Sequence, residues 1–282
     1  MSKQAIHQLL DRRMKAEEEN SYLIEIISQI RVDHPTMSCR SMYYKIQPKT
    51  LGRDKFEALC YDWGYIIEKP INYHRTTYSN GVIRFNNLMI NIVVTAINQA
   101  FVSDITYFEL DRFYYITFIL DAYTRYIVGY SVSDRLTTEK TTLPALQLAI
   151  KTRKDNLPQG IIFHSDGGGQ YYDKAFLALT KKYHFKNSMC EYAYENGKAE
   201  RINGVIKNNY LKHWDIKNYA DLVKQVDRAV SLYNTEKPHK ALKYKTPLHI
   251  EKEQLYLYQQ TKLTMTESLD ANYQLNGALS PI

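Results

Sequence analysis

At 282 residues, 44% of them hydrophobic, the chain is long enough for one large domain or for a core joined to one or two small ones. It holds no run of about eighteen apolar residues, and residues 1–20 are highly charged, which speaks against a membrane span or a signal peptide and sets the expectation of a cytoplasmic protein. Lys plus Arg outnumber Asp plus Glu by 37 to 30, and the net charge of +7 suits a polyanionic partner without establishing one. The cysteines Cys39, Cys60 and Cys190 stand far apart, form no zinc or disulfide spacing, and read as reduced core residues.

Charged and apolar residues mix at helical spacing over 2–19. Over 22–32 the set Leu23, Ile26, Ile27 and Ile30 makes an amphipathic helix that Pro35 ends. Short helices over 38–45 and 53–62, parted by Pro48 and Gly52, have the size of a helix-turn-helix unit, although modules that bind nothing look the same. Residues 71–91 are polar and read as a linker or extended arm, with a domain boundary near 90. The period then becomes strand-like: 100–108, 112–121 and 125–133 are rich in Val, Ile, Tyr, Phe and Thr, and short polar turns between them predict three antiparallel strands. A helix follows over 138–154, then a strand ahead of Asp166, a helix over 172–184, a strand over 185–190, and helices over 198–213 and 220–233. The weakly apolar segment 261–282 is expected to fray.

The organising stretch is 160–171, a short apolar run that three glycines terminate, leaving Asp166 where a strand ends. Asp166 either opens a turn for local reasons or occupies the strand end where active-site groups collect in open α/β sheets. The Gly167-Gly168-Gly169 run is not a nucleotide-binding P-loop, because no Gly-Lys-Ser/Thr follows it.

Three strands, a helix, a strand and further helices are the order of an RNase H-like sheet, in which the first strand lies beside the fourth. Asp104 and Asp166 would then be neighbours, and a helix packed along the sheet would aim Glu200 at both. Each acid also has a local explanation: Asp104 as a turn cap, Glu200 as a solvated helix charge, Asp121 as a partner for Arg125. Three anions held together repel unless a cation neutralises them, and oxygen ligands without His or Cys select a hard one. Mg²⁺ is the expected ion, with Mn²⁺ able to substitute, and a pair of ions roughly 3.5–4 Å apart would suit an in-line phosphodiester displacement. Asn203, Gly204 and Lys207 follow Glu200 at three, four and seven residues and share its face.

Five ordered blocks carry a resemblance: Phe101-Val-Ser-Asp-Ile-Thr-Tyr107, Asp121-Ala-Tyr-Thr-Arg-Tyr-Ile-Val-Gly129, His164-Ser-Asp-Gly-Gly-Gly-Gln-Tyr171, Glu195-Asn-Gly-Lys-Ala-Glu200 and Tyr233-Asn-Thr-Glu-Lys-Pro-His-Lys-Ala-Leu242. Together they resemble the second-reading-frame (OrfB) transposases of the insertion-sequence-three family, which share the retroviral integrase core. The resemblance implies an α/β, RNase H-like mixed sheet flanked by helices over 96–215. It also implies a small all-α, helix-turn-helix-like region over 1–70, a linker over 71–95, and a helical extension and tail over 216–282.

It implies a DDE recombinase with Asp104, Asp166 and Glu200 as catalytic metal-binding acids, which cuts a strand at the element end and joins the freed 3′ hydroxyl to another phosphodiester. The candidate DNA contacts are Lys207, Asn203, Lys198 and Arg201. The implied partners are the element's terminal repeats and target DNA, a second copy of the chain on that DNA, and an upstream-frame protein or frameshift fusion. Asp121 is expected to be structural, holding Arg125. The family commonly carries Trp at the position of Phe101 and Asp-Asn-Ala at 195–197; neither difference removes a ligand. The competing readings are an inactive DNA-binding relic or regulator of the same fold, and a purely hydrolytic nuclease, against which the 233–242 block speaks. The 25 tyrosines do not make a tyrosine recombinase, since no Arg and His cluster surrounds any of them; their spread follows strand propensity.

Overall fold

The computed structural model describes residues 2–67, 84–154 and 157–257. Helix α1 runs unbroken over Lys3–Asp33, capped by the Ser2 hydroxyl accepting from the Ala5 amide at 3.2 Å. The two helical stretches expected over 2–19 and 22–32 are therefore one. Only its second half buries a stripe, Leu23, Ile27 and Ile30, against α2 (Cys39–Ile46) and α3 (Arg53–Asp62), where Met37, Met42, Phe56 and Cys60 complete a small core. The part of the expected linker within 68–83, and the tail expected to fray over 261–282, lie outside the described residues.

The central sheet contains β1 (Ala100–Glu109), β2 (Phe113–Asp121), β3 (Ile127–Ser133), β4 (Ile162–Ser165) and β5 (Lys186–Met189), in the order β3-β2-β1-β4-β5. The first three form an antiparallel meander, whereas β4 pairs parallel with β1 and β5 parallel with β4. Alternation on the central strands splits the apolar residues between two faces. Val102, Ile116, Phe118 and Leu120 pack beneath α6 (Gly197–Asn209) and α7 (Tyr219–Thr235), while Phe101, Ile119, Val128 and Phe163 pack beneath α4 (Thr142–Arg153) and α5 (Lys174–Lys182). Helices on both sides of a mixed sheet with this strand order are the RNase H-like architecture.

Two details fix how the layers meet. Gly129 lies where α4 crosses β3: a Cβ there would stand 2.2 Å from the Ala145 carbonyl oxygen and 2.8 Å from the Ala149 amide nitrogen, so only glycine admits the helix. The buried Tyr210, just past α6, hydrogen-bonds His34 Nδ1 at 3.0 Å and ties the N-terminal helices to the core. Asp33–Arg228 at 2.6 Å, Lys45–Glu236 at 2.8 Å and a Tyr44–Tyr244 ring stack at 4.0 Å reinforce that junction.

The expected Asp121–Arg125 pair does not form. Asp121 is fully buried, accepts from the amides of Asn98, Tyr123 and Thr124 at 2.8–2.9 Å, and faces Arg153 at 3.7 Å. Arg125 gives Asp121 only its backbone amide, at 3.0 Å, and its positive φ of 64° swings the side chain elsewhere. Arg153 is instead held by Glu251 at 2.6 and 2.9 Å, and Glu251 also accepts from the Thr124 hydroxyl. Glu251 stands on α8, over 247–257. All three cysteines are free; Cys60 and Cys190 are buried and Cys39 is half-buried, a partial departure from the expected core position. No helix among the described residues is long and apolar enough to cross a membrane.

Candidate active site

The β1–β4 register is the origin of the site. Ser103 pairs with Ser165, so the next residues, Asp104 and Asp166, leave adjacent parallel strands side by side. Neighbouring strands lie about 4.8 Å apart, within Coulomb range for two carboxylates. Asp166 stands at the end of its strand because the glycines after it turn away, and its Oδ1 accepts from the Gly168 amide at 3.1 Å. Asp104 is further along its own strand. Its Oδ1 accepts from the Ile105 amide at 2.9 Å, and its Oδ2 from the Asn203 side-chain amide at 2.8 Å.

Asn203 brings in the third acid. One turn after Glu200 on α6, it fastens that flank of the helix to Asp104. Burial, then the charges of Asp166 and Glu200, push the Asp104 carboxyl up to about 7. Burial raises Asp166 as well. No lysine or arginine forms an ion pair with these three acids among the described residues. An all-oxygen set with uncompensated negative charge fits a hard divalent cation, and Asn203 adds a buried amide oxygen without a hydrogen-bond partner. Among the described residues no group of three such side chains closes into a cage on its own.

Around the acids a shell of buried polar contacts holds β1 still. The Ser103 hydroxyl meets the phenol of Tyr171 at 2.9 Å, and the Asn196 amide donates to the Ser103 carbonyl at 2.9 Å. His164 is a neutral imidazole, pushed down to about 4 by burial, with Nδ1 2.9 Å from Ser188 Oγ. Sequence reasoning gave none of these residues a supporting part. The one signal was the position of Ser103, His164, Tyr171 and Asn196 inside the same blocks as the acids; Ser188 lies outside every block.

The four sequence-predicted DNA contacts separate. Lys207 shares the Glu200 flank, its ammonium 4.9 Å over the Tyr107 ring and 3.3 Å from Thr106 Oγ1. Asn203 is committed to Asp104. Lys198 and Arg201 project from the opposite flank of α6, where Lys198 donates to the Ala122 carbonyl at 3.0 Å.

The Integrase core domain family matches residues 95–194, and a second family of the same description matches 183–247, so the two together reach across more than half of the chain. The insertion element IS600 31 kDa protein of Shigella sonnei is 29% identical over 198 residues, covering 68% of this chain and 72% of that protein. The transposase for insertion sequence element IS629 of Shigella sonnei is 32% identical over 158 residues, covering 55% of this chain and 52% of its own length. Transposase InsF for insertion sequence IS3A of Escherichia coli K12 is 36% identical over 93 residues, 33% of this chain and 31% of that protein. The chain thus spans about half the length, or less, of two of these three relatives. Among solved structures, the integrase catalytic core domain of HTLV-2 in complex with magnesium overlaps at a TM-score of 0.44 and 21% identity, covering 55% of this chain and 97% of that one. The catalytic core domain of BIV integrase overlaps at 0.43 and 17%, covering 57% and 98%. With the two family matches laid end to end over the sheet and its flanking helices, the chain belongs to the Integrase core domain family, and the relatives it resembles are proteins of insertion elements, transposases among them.

Proposed function

We propose that Asp104, Asp166 and Glu200 form the catalytic centre at which the chain cuts insertion-sequence ends and joins the freed 3′ hydroxyls to target DNA. The observation that carries this reading is the Ser103–Ser165 register together with the Asn203–Asp104 hydrogen bond, which bring two strands and one helix to a single point. A divalent cation, Mg²⁺ in the first place and Mn²⁺ as a substitute, supplies at that point the charge neutralisation and activation of oxygen that phosphodiester displacement requires. The chain's own residues do the rest. The acids hold negative charge ready for the cation; Asn203 fixes the rotamer of Asp104; Tyr171, Asn196 and Ser103 keep β1 from shifting. Lys207, half-buried and aligned along the same flank, positions a phosphate of the element end.

The DNA partners are the terminal repeats and the target. Because two ends must be handled, the chain works on DNA as at least a dimer, and an upstream-frame protein or frameshift fusion supplies additional reading of the repeat. The domain division that goes with this reading is a DNA-contacting helical region over 1–70, a linker over 71–95, the catalytic core over 96–215 and a supporting extension from 216. Nothing favours an inactive relic, since all three acids are present.

The test is a labelled oligonucleotide carrying the terminal repeat, incubated with Mg²⁺, Mn²⁺ or EDTA and either this chain or its Glu200→Gln variant. Metal-dependent cleavage and joining that the variant loses is the expected result. Joining retained by Glu200→Gln overturns the assignment of the third acid.

A further inference from the structure

The flank of α6 turned away from the acids borders a cavity of about 440 Å³, lined by Arg125, Lys198, Arg201, Tyr233, His239 and Lys240 with apolar residues between them. These side chains come from four separate places: the turn between β2 and β3, α6, the end of α7, and the stretch following α7. Four of its side chains are cations and none is a carboxylate. Among the described residues none of Arg125, Arg201, Lys240 and Lys198 forms an ion pair; Lys198 donates to the Ala122 carbonyl, and the attraction of the buried Asp121 is outweighed at its ammonium by burial and the repulsion of Arg125. Contrast Arg153, part of the core, which two carboxylates face, Glu251 at 2.6 Å and Asp121 at 3.7 Å. Burial and the nearby Arg201 pull the Arg125 guanidinium below its ordinary value, a sign of a charge with too little compensation. His239 is neutral, pushed down to about 3 by burial and by the cations Lys237, Arg125 and Arg201, and its Nε2 is buried without a partner.

Like charges gathered in a partly desolvated cavity are unfavourable unless an anion completes the set. Two guanidiniums from different elements suit the tetrahedral oxygens of a phosphate, which accept forked hydrogen bonds. Resting on the proposed transposase function, we infer that this cavity binds a backbone phosphate of DNA, one belonging to a segment other than the strand held at the acids. Helix α6 then stands between two DNA segments, its Glu200 flank serving the reacting strand and its Arg201 flank anchoring the other. The contact is to the backbone, so it adds affinity and orientation with no sequence preference.

The test is a salt titration of the full chain binding a terminal-repeat duplex, comparing the parent with Arg125→Gln/Arg201→Gln. Loss of one phosphate contact makes the slope of log K against log salt shallower by about 0.9 and weakens binding roughly tenfold near 0.1 M salt. Lys240→Gln, altering an exposed side chain that cannot disturb folding, carries a change of the same sign. Arg125→Lys/Arg201→Lys keeps the slope and loses part of the affinity. Unchanged slope and affinity in both glutamine variants overturn the inference while leaving the transposase reading intact; a parent chain with no salt-dependent DNA binding overturns both. Calorimetry with inorganic pyrophosphate separates the sources: pyrophosphate binding lost in the variants, with DNA slopes unmoved, assigns the cavity to a free anion and overturns the DNA contact.

Discussion

Ser103 and Ser165 stand opposite one another on neighbouring parallel strands, and each is followed by an aspartate. A one-residue slip in that pairing would turn one strand's side chains to the other face and part the two carboxylates. The register therefore decides whether the two carboxylates meet at all, and the consequences of their closeness for stability are measurable.

Asp104 titrates at about 7 in the folded chain against an ordinary carboxyl value of 3.8. Between those values the folded state binds more protons than the unfolded state, so metal-free stability falls as pH rises through that window. Asp104→Asn removes the term. In EDTA at pH 8 the variant is expected to be more stable than the parent by roughly 1–3 kcal/mol, with little difference at pH 4. Urea denaturation at both pH values measures this, and a variant no more stable at pH 8 contradicts it. Under the proposed function the same variant is also expected to lose metal-dependent strand cutting, which the labelled-oligonucleotide assay checks.

Lys207→Ala should weaken binding to a terminal-repeat duplex by roughly three- to tenfold at about 0.1 M salt and reduce the salt slope by about 1. The loss should be similar on duplexes of unrelated sequence, because the contact is to phosphate. A sequence-selective loss would point to base reading instead.

His34 is pushed down to about 4, first by burial and then by Lys45 from α2 and Lys237 beyond α7; Glu236, 3.5 Å from its Nε2, opposes the shift without reversing it. The remaining neighbour, Tyr210, is its hydrogen-bond partner from the end of α6. In the unfolded chain the imidazole protonates near 6.5, so its stability contribution is complete above that pH and is lost as pH falls toward 4. The loss amounts to roughly 2–3 kcal/mol. Denaturation profiles between pH 4 and 7 should show His34→Gln with a slope reduced by about one proton; identical slopes would refute the assignment.

Gly129→Ala drives a methyl group into two backbone atoms of α4, neither of which can rotate away. A loss of about 3 kcal/mol or more, or failure to fold, is expected. Gly204→Ala on α6 is the control, because its new Cβ meets only Asn208 Nδ2 at 3.9 Å, and it should gain up to about 1 kcal/mol in helix propensity. Thermal unfolding of the pair decides the matter, and a Gly129→Ala melting point equal to the parent's would show that α4 can retreat.

Much of the core was legible because it is written in short-range pattern. The meander β1–β3 follows from alternation and turn residues, and the Asp104–Asp166 neighbourhood follows from strand order once the fold class is inferred. What the sequence concealed depends on distance or on backbone sign. Nothing local announces that Arg153 will choose Glu251, 98 residues away, over a nearer acid. Arg125 looked like a natural partner for Asp121 at four residues' separation, and only its left-handed φ sends the guanidinium into the basic cavity. The continuity of α1 was equally hidden, since its first half has exposed Ile6, Leu10 and Met14 rather than a buried stripe to mark it.

The Glu251 clasp has a consequence for synthesis. On a ribosome the sheet, with Asp121 and Arg153, emerges long before α8, so the guanidinium at first has only Asp121 to face, 3.7 Å away and already accepting from three backbone amides. The buried turn after β2 is completed when residue 251 arrives and closes over it. Folding around that turn is thus finished from its C-terminal side, and a chain released or clipped between 243 and 246 would keep Asp104, Asp166 and Glu200 while Arg153 loses its two short contacts and keeps only the 3.7 Å approach to Asp121.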